Sequence, residues 1–170
     1  MEYIEITPQD SLYDEAEKIC NVLNIKMPDH IGVTLEPIII DNLAICSAYT
    51  GAPDLNRGEI VVVLYIKDRY DPYIVGDIAH EMIHVMHWQN DSNSKGAIGY
   101  ESEDNAEEIE ADGFAIAYLQ RRYKISEKEA INIVMLEDHQ TPINKDAIEK
   151  RITASKIAKK KYWGLRRFLR

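Results

Sequence analysis

The pentapeptide His80-Glu81-Met82-Ile83-His84 lies inside a run whose apolar positions repeat with helical spacing, and it constrains the fold more than any other segment. At about 100° per residue, two histidines four positions apart stand some 40° from each other, so both imidazoles project from one face. Glu81 is turned away from them by roughly 60 to 100°, and His87 falls beside the pair. Burying so many polar side chains on a largely apolar helix is costly unless they share a partner. One metal ion removes that cost. The spacing is that of a Zn²⁺-binding pair with a glutamate placed as general base toward a metal-bound water. The helix is expected from Asp71-Pro72, with Asp71 as cap, to about Trp88 or Gln89.

A second helix, expected from Glu103 or Asp104 to Arg122, carries the acidic groups that such a pair needs. On a helical wheel Glu108, Asp112, Ala115 and Leu119 fall within about 60° of one another, while Glu110, Gly113, Ala117 and Arg121 share the opposite side. Attraction to the positive helix N-terminus explains Glu103, Asp104 and Glu107. It does not explain Asp112 in mid-helix. A carboxylate on the inner stripe is expected to be paired or metal-bound, and an aspartate one turn later can hold a ligand histidine through its other ring nitrogen. Glu110 competes with Glu108 as third ligand, but its side of the wheel makes it the solvent-facing member.

The rest of the chain reads as a helix, then strands, then helices. An amphipathic helix is expected from Ser11 to Leu23, capped by Ser11 or Asp10. Ile31 to Ile40 and Asn42 to Tyr49 are short β-rich runs, and Pro37 argues that the first is bent or on an edge. Glu59 to Ile66 is the strongest strand and is expected at a sheet edge, where an extended peptide can add as a further strand. A shorter helix from Ser126 to Leu136 opens on a capping box, Ser126 to Glu129, and a last helix starts near Asn144.

Composition bounds the class. The 170 residues, 45% hydrophobic and 29% charged, suit one globular domain, with no apolar run near the roughly 20 residues that span a bilayer. The acidic N-terminus, Met1-Glu2-Tyr3-Ile4-Glu5, is unlike a signal peptide, and a cytoplasmic protein without membrane insertion is expected. Cys20 and Cys46 sit in apolar contexts and read as buried thiols. Net charge is −9, but residues 143–170 hold ten Lys/Arg against Asp146 and Glu149, a tail of +8 on a body of −17. Such a tail can meet an anionic partner, nucleic acid included, or offset the body's own charge. Tyr162, Trp163 and Phe168 are expected to pin it to the core.

His80-Glu81-x-x-His84 followed by Glu108-Ile109-Glu110-Ala111-Asp112-Gly113-Phe114-Ala115 resembles the gluzincin metallopeptidases, and most closely the minigluzincins and ImmA/IrrE-type peptidases. The resemblance covers roughly Ile60 to Leu119. It implies an α+β, zincin-like single domain over 1–142. A small, mostly antiparallel sheet of about three strands would pack on an active-site helix and a glutamate helix, with a basic helical extension over 143–170 packed on the same domain. It implies one catalytic Zn²⁺ held by His80, His84 and Glu108, with Glu81 as base and Asp112 orienting a ligand histidine. In thermolysin-like relatives a tyrosine and a later histidine stabilise the tetrahedral intermediate, and Tyr100 and His139 occupy comparable places. The metzincin pattern fails, since His87 stands where glycine and Asn90 where histidine would be required. No histidine follows between His87 and His139, against a SprT-like site.

The function so implied is hydrolysis of peptide bonds, of narrow or regulatory specificity, in a peptide or protein substrate. The alternative is a catalytically silent zinc-bearing scaffold that binds a protein or nucleic acid through its basic tail. His87, as fourth ligand, would close the site in that case; otherwise it lines the pocket or supports a ligand.

Overall fold

Pro37 divides the first β-rich run, because its ring removes a ladder donor. In the computed structural model, which describes residues 3–40, 44–46, 48–51, 59–69, 71–90, 106–136 and 144–164, the chain bends at residues 35 and 36. Strand β1 (Ile4–Glu5) and helix α1 (Ser11–Leu23) precede β2 (His30–Thr34), β3 (Ile38–Ile40), β4 (Ala44–Cys46), β5 (Ala48–Gly51) and β6 (Val61–Tyr65). Helices α2 (Asp71–Asn90), α3 (Ala106–Tyr123), α4 (Glu127–Leu136) and α5 (Lys145–Trp163) follow. Among the described residues no helix is long and apolar enough to cross a membrane.

The class is α+β, as expected, but the sheet differs in two ways. It has four strands in the order β1-β2-β6-β5, with a separate two-stranded ladder of β3 and β4. It is mostly antiparallel, as expected, with β1–β2 and β5–β6 antiparallel and β2 and β6 parallel, His30 opposite Val61 and Thr34 opposite Tyr65. But β6 is internal, so the expectation that Glu59 to Ile66 forms the edge is wrong; that edge is β5, antiparallel to β6. The physical reason is visible in β6 itself. Val62 and Leu64 face the main core, whereas Val61 and Val63 pack with Ile38 in a smaller cluster. A strand covered on both faces reads as a continuous apolar run, and such strands lie inside sheets.

Local chemistry sets the helix ends. Asn24 at φ 57° ends α1 in the left-handed region, its N–H bonding the Cys20 carbonyl. Asp10 precedes α1 as expected, though its carboxylate accepts from the Thr7 N–H at 2.7 Å rather than from the helix. The Ser126–Glu129 box forms in both directions, at 3.2 and 2.8 Å, and the Asn144 side chain accepts from the Asp146 N–H at 3.0 Å.

Helix α2 packs against β5, β6 and α1 on one side and α3 on the other; α3 in turn packs on α4 and α5. Residues Ala111 to Leu119 are consequently all buried. Glu15 of α1 ties in from the far end, accepting from the Tyr118 hydroxyl at 2.8 Å and the Arg122 Nε–H at 2.9 Å. Cys20 is a buried free thiol beside the Met82 sulfur, and the Cys46 side chain lies outside the described residues. Trp163 stacks on Phe114 at 5.7 Å between ring centroids and Tyr162 meets the same ring edge-on at 5.3 Å. These two pin α5 to the core as expected; Phe168 lies outside the described residues.

The close approach of α5 requires Gly113. A Cβ there would stand 2.4 Å from the Ala154 Cβ and 2.8 Å from the Ala154 backbone. Helix propensity favours Gly113→Ala by about 1 kcal/mol, while overpacking a filled interface costs about 1–3 kcal/mol. Because backbone lies behind the clash, the second effect wins: Gly113→Ala is expected to lower the unfolding midpoint in urea, and a raised midpoint would contradict the packing described.

His30 joins β1 to the strand ends, its Nδ1 2.9 Å from Glu5 Oε1 and its Nε2 3.8 Å from Glu59 Oε2. The Glu5 hydrogen bond raises the pKa of this ring, with burial opposing it weakly. The raised value means stability that is present below about pH 6.5 and is lost as pH rises through the folded pKa. At such a half-exposed pair the effect stays below about 1 kcal/mol. His30→Gln should therefore be slightly less stable than the parent at pH 5.5, and chemical denaturation should show the difference vanishing toward alkaline pH.

Candidate metal centre

Helical periodicity on α2 carries His80 and His84 to the surface that meets α3, and α3 brings Glu108 to the same place. The three residues form a group able to hold a metal ion, with one donor atom from each lying within 4.8 Å of the others. The two imidazole Nε2 atoms are 3.1 Å apart. Each lies 3.2 Å from a Glu108 oxygen, His80 from Oε2 and His84 from Oε1. Donors set about 2.1 Å from a tetrahedral ion are separated by about 3.4 Å, so the triangle has nearly the dimensions that such an ion requires. All three side chains are partly buried, at 19%, 16% and 29% exposure.

The tautomer supports the same fit. Asp112 Oδ1 lies 2.9 Å from His80 Nδ1, and an ionised carboxylate can only accept. Nδ1 therefore carries a proton, and Nε2 is the nitrogen that faces Glu108 and His84. Two ring nitrogens and a carboxylate converging in a partly buried space require positive charge among them, either a proton or a metal ion. Two imidazole nitrogens and one carboxylate make a donor set suited to a divalent transition ion with a coordination position left open.

Electrostatics here is governed by the acidic groups. Burial alone would push His80 toward the neutral form, but the hydrogen bonds to Asp112 and Glu108 outweigh it and hold its pKa well above the usual value. Burial would likewise raise Glu108, yet the two histidines hold its carboxyl far below the usual carboxylate range. Positive charge is thus favoured at the centre of the triangle.

The remaining residues fall into place around it. Glu81, 7% exposed, directs Oε2 to the Thr50 hydroxyl on the edge strand β5 at 2.5 Å. One turn earlier on α2, burial pushes the Asp77 carboxyl up to about 6 against the pull of Arg69, with which it is paired. His87 does not join the triangle; its Nε2 lies 3.1 Å from Glu110 Oε2. Glu110, expected as the solvent-facing member, is 39% exposed against 29% for Glu108, and it also lies 3.6 Å from the Lys161 ammonium. The wheel separated its two faces correctly, but α5 covers the second. Tyr100 and His139 lie outside the described residues.

Two polar partners were missed from the sequence. Thr50 lies just beyond the β-rich run Asn42 to Tyr49, and nothing in its neighbours marks it. Arg151 was counted as one charge of a basic tail, yet it is 5% exposed and its Nε–H donates to Asp112 Oδ2 at 2.5 Å. An arginine among Ala147, Ile148, Ile152 and Ser155 is the signal that could have found it.

No family model, no curated protein and no solved structure matches the chain.

The geometry sets an expectation for metal binding. Titration of the metal-free protein with Co²⁺, followed by visible absorption, should show one site. Glu108→Gln should weaken it by at least about tenfold, since one of three donors is lost, whereas Glu110→Gln should leave the affinity unchanged. The reverse order would reassign the third donor.

Proposed function

We propose that this chain is a zinc-dependent peptidase of the gluzincin type, with the zincin-like architecture that its resemblance to minigluzincins and ImmA/IrrE-type peptidases implies. The observation that carries the reading is Glu81, a buried carboxylate on the same helical turn as His80, beside a site with three protein donors. A merely structural zinc site is usually closed by a fourth protein ligand and has no use for a general base. His87, the nearest candidate for closing it, is engaged with Glu110 instead.

In this reading His80, His84 and Glu108 hold the ion, and Asp112 keeps the His80 lone pair aimed at it. The ion, when bound, supplies Lewis-acid activation of water and of the substrate carbonyl. Thr50 holds Glu81 Oε2, so Oε1 is the oxygen that takes the proton from the attacking water and returns it to the leaving amine. An extended peptide is proposed to pair with β5, whose outer edge lies next to α2. A cytoplasmic setting agrees with the free thiol of Cys20.

Glu81→Gln tests the reading. The variant should bind zinc like the parent and cleave a peptide library at least about 10²-fold more slowly, the usual contribution of a general base. Zinc retained by both proteins, with cleavage by neither, would favour the scaffold instead.

A further inference from the structure

Asp112 is shared between two helices that flank α3. Its Oδ1 accepts from His80 on α2 at 2.9 Å and its Oδ2 from the Arg151 Nε–H on α5 at 2.5 Å. All of this is buried: Asp112 is 9% and Arg151 5% exposed. Stability does not account for the pair, because a buried ion pair is typically no better than an apolar pair of the same volume. Orientation does. A carboxylate bonded through one oxygen can still rotate about its last torsion; bonded through both, to groups on opposite sides, it is fixed, and so is the ring that it holds.

The register of α5 serves this contact. Gly113, next to Asp112, is a point of close approach between α3 and α5, against Ala154 and Ser155. Arg151 is one turn before Ser155. The same crossing that a Cβ at position 113 would block therefore sets the guanidinium against the Asp112 carboxylate. Arg151 also donates from Nη1 to the Ala147 carbonyl of its own helix at 3.3 Å, which limits its swing.

We infer that Arg151 is a positioning residue of the metal centre: acting through Asp112, it holds His80 in the orientation that binds the ion, and makes the C-terminal helix part of the site. The inference rests on the metal-centre reading and not on peptidase activity. A second chain of contacts, Lys161 to Glu110 to His87, also joins α5 to α2 but ends outside the donor triangle, and it provides the control.

The test measures Co²⁺ and Zn²⁺ affinity of the full-length, metal-stripped protein, with thermal melting of each metal-free variant alongside. Arg151→Met should bind roughly 10–100-fold more weakly, the usual effect of losing a partner behind a ligand histidine. Arg151→Gln, whose amide places a donor near the position of Nε, should recover most of that loss, and Lys161→Met should bind like the parent. Unchanged affinity in a folded Arg151→Met overturns the inference, as does an equal loss in Lys161→Met, which would mean that loosening α5 is enough. If Arg151→Met does not fold, Arg151→Ala, which leaves room for water beside the Asp112 carboxylate, is compared with the parent. A loss of about tenfold supports the role, and equal affinity overturns it. Absence of metal binding by the parent would instead overturn the metal-centre reading itself.

Discussion

A carboxylate buried between three helices is the constraint from which much of this structure follows. Asp112 cannot be left without partners, because an isolated ionised group in the interior costs far more than the few kcal/mol of net stability a domain has to spare. It finds His80 on one side and Arg151 on the other. Meeting both requires α2 and α5 to pack against α3 beside the same residue, and that arrangement helps to determine where the three donor atoms converge. The site is thus a product of helix packing more than of any loop.

The second requirement is that α3 be small where it is crowded. Ala111, Gly113, Ala115 and Ala117 alternate with Phe114, Ile116 and Leu119 along a helix buried on both sides. Small side chains let neighbouring backbones close in, and large ones fill the space between crossings. Among the sheet residues β6 solves the same problem with Val61 and Val63 on one face and Val62 and Leu64 on the other. Both elements lie at the centre of the layers, and both lack the clean alternation of buried and exposed positions that marks a surface element.

This explains which expectations held and which did not. The donors of α2 and α3 were legible because helical periodicity is local: four residues make about one turn wherever the helix sits, so His80, His84, Glu108 and Asp112 could be assigned to facing stripes. The caps at Ser126 and Asn144 are equally local. Glu110 was placed on the correct side of α3 and does keep substantial exposure, but the wheel cannot tell that Lys161 of α5 reaches that face. The edge strand was misplaced for a related reason. The apolar run at Ile60 to Leu64 signals a strand, and its lack of alternation already argued for burial on both faces, yet the weight went to its strength as a strand.

From the amino-acid order alone came the metal-ligand spacing, the acidic stripe, the α+β class and most helix boundaries, all of which depend on residues within a turn or two of one another. Only the tertiary structure decided that β5 is the edge, that Thr50 reaches Glu81, and that Arg151 completes the Asp112 contact from 39 residues away. Those pairings join distant segments, and no periodicity encodes them. They are chosen by which faces must be buried together and which buried polar groups must find a partner.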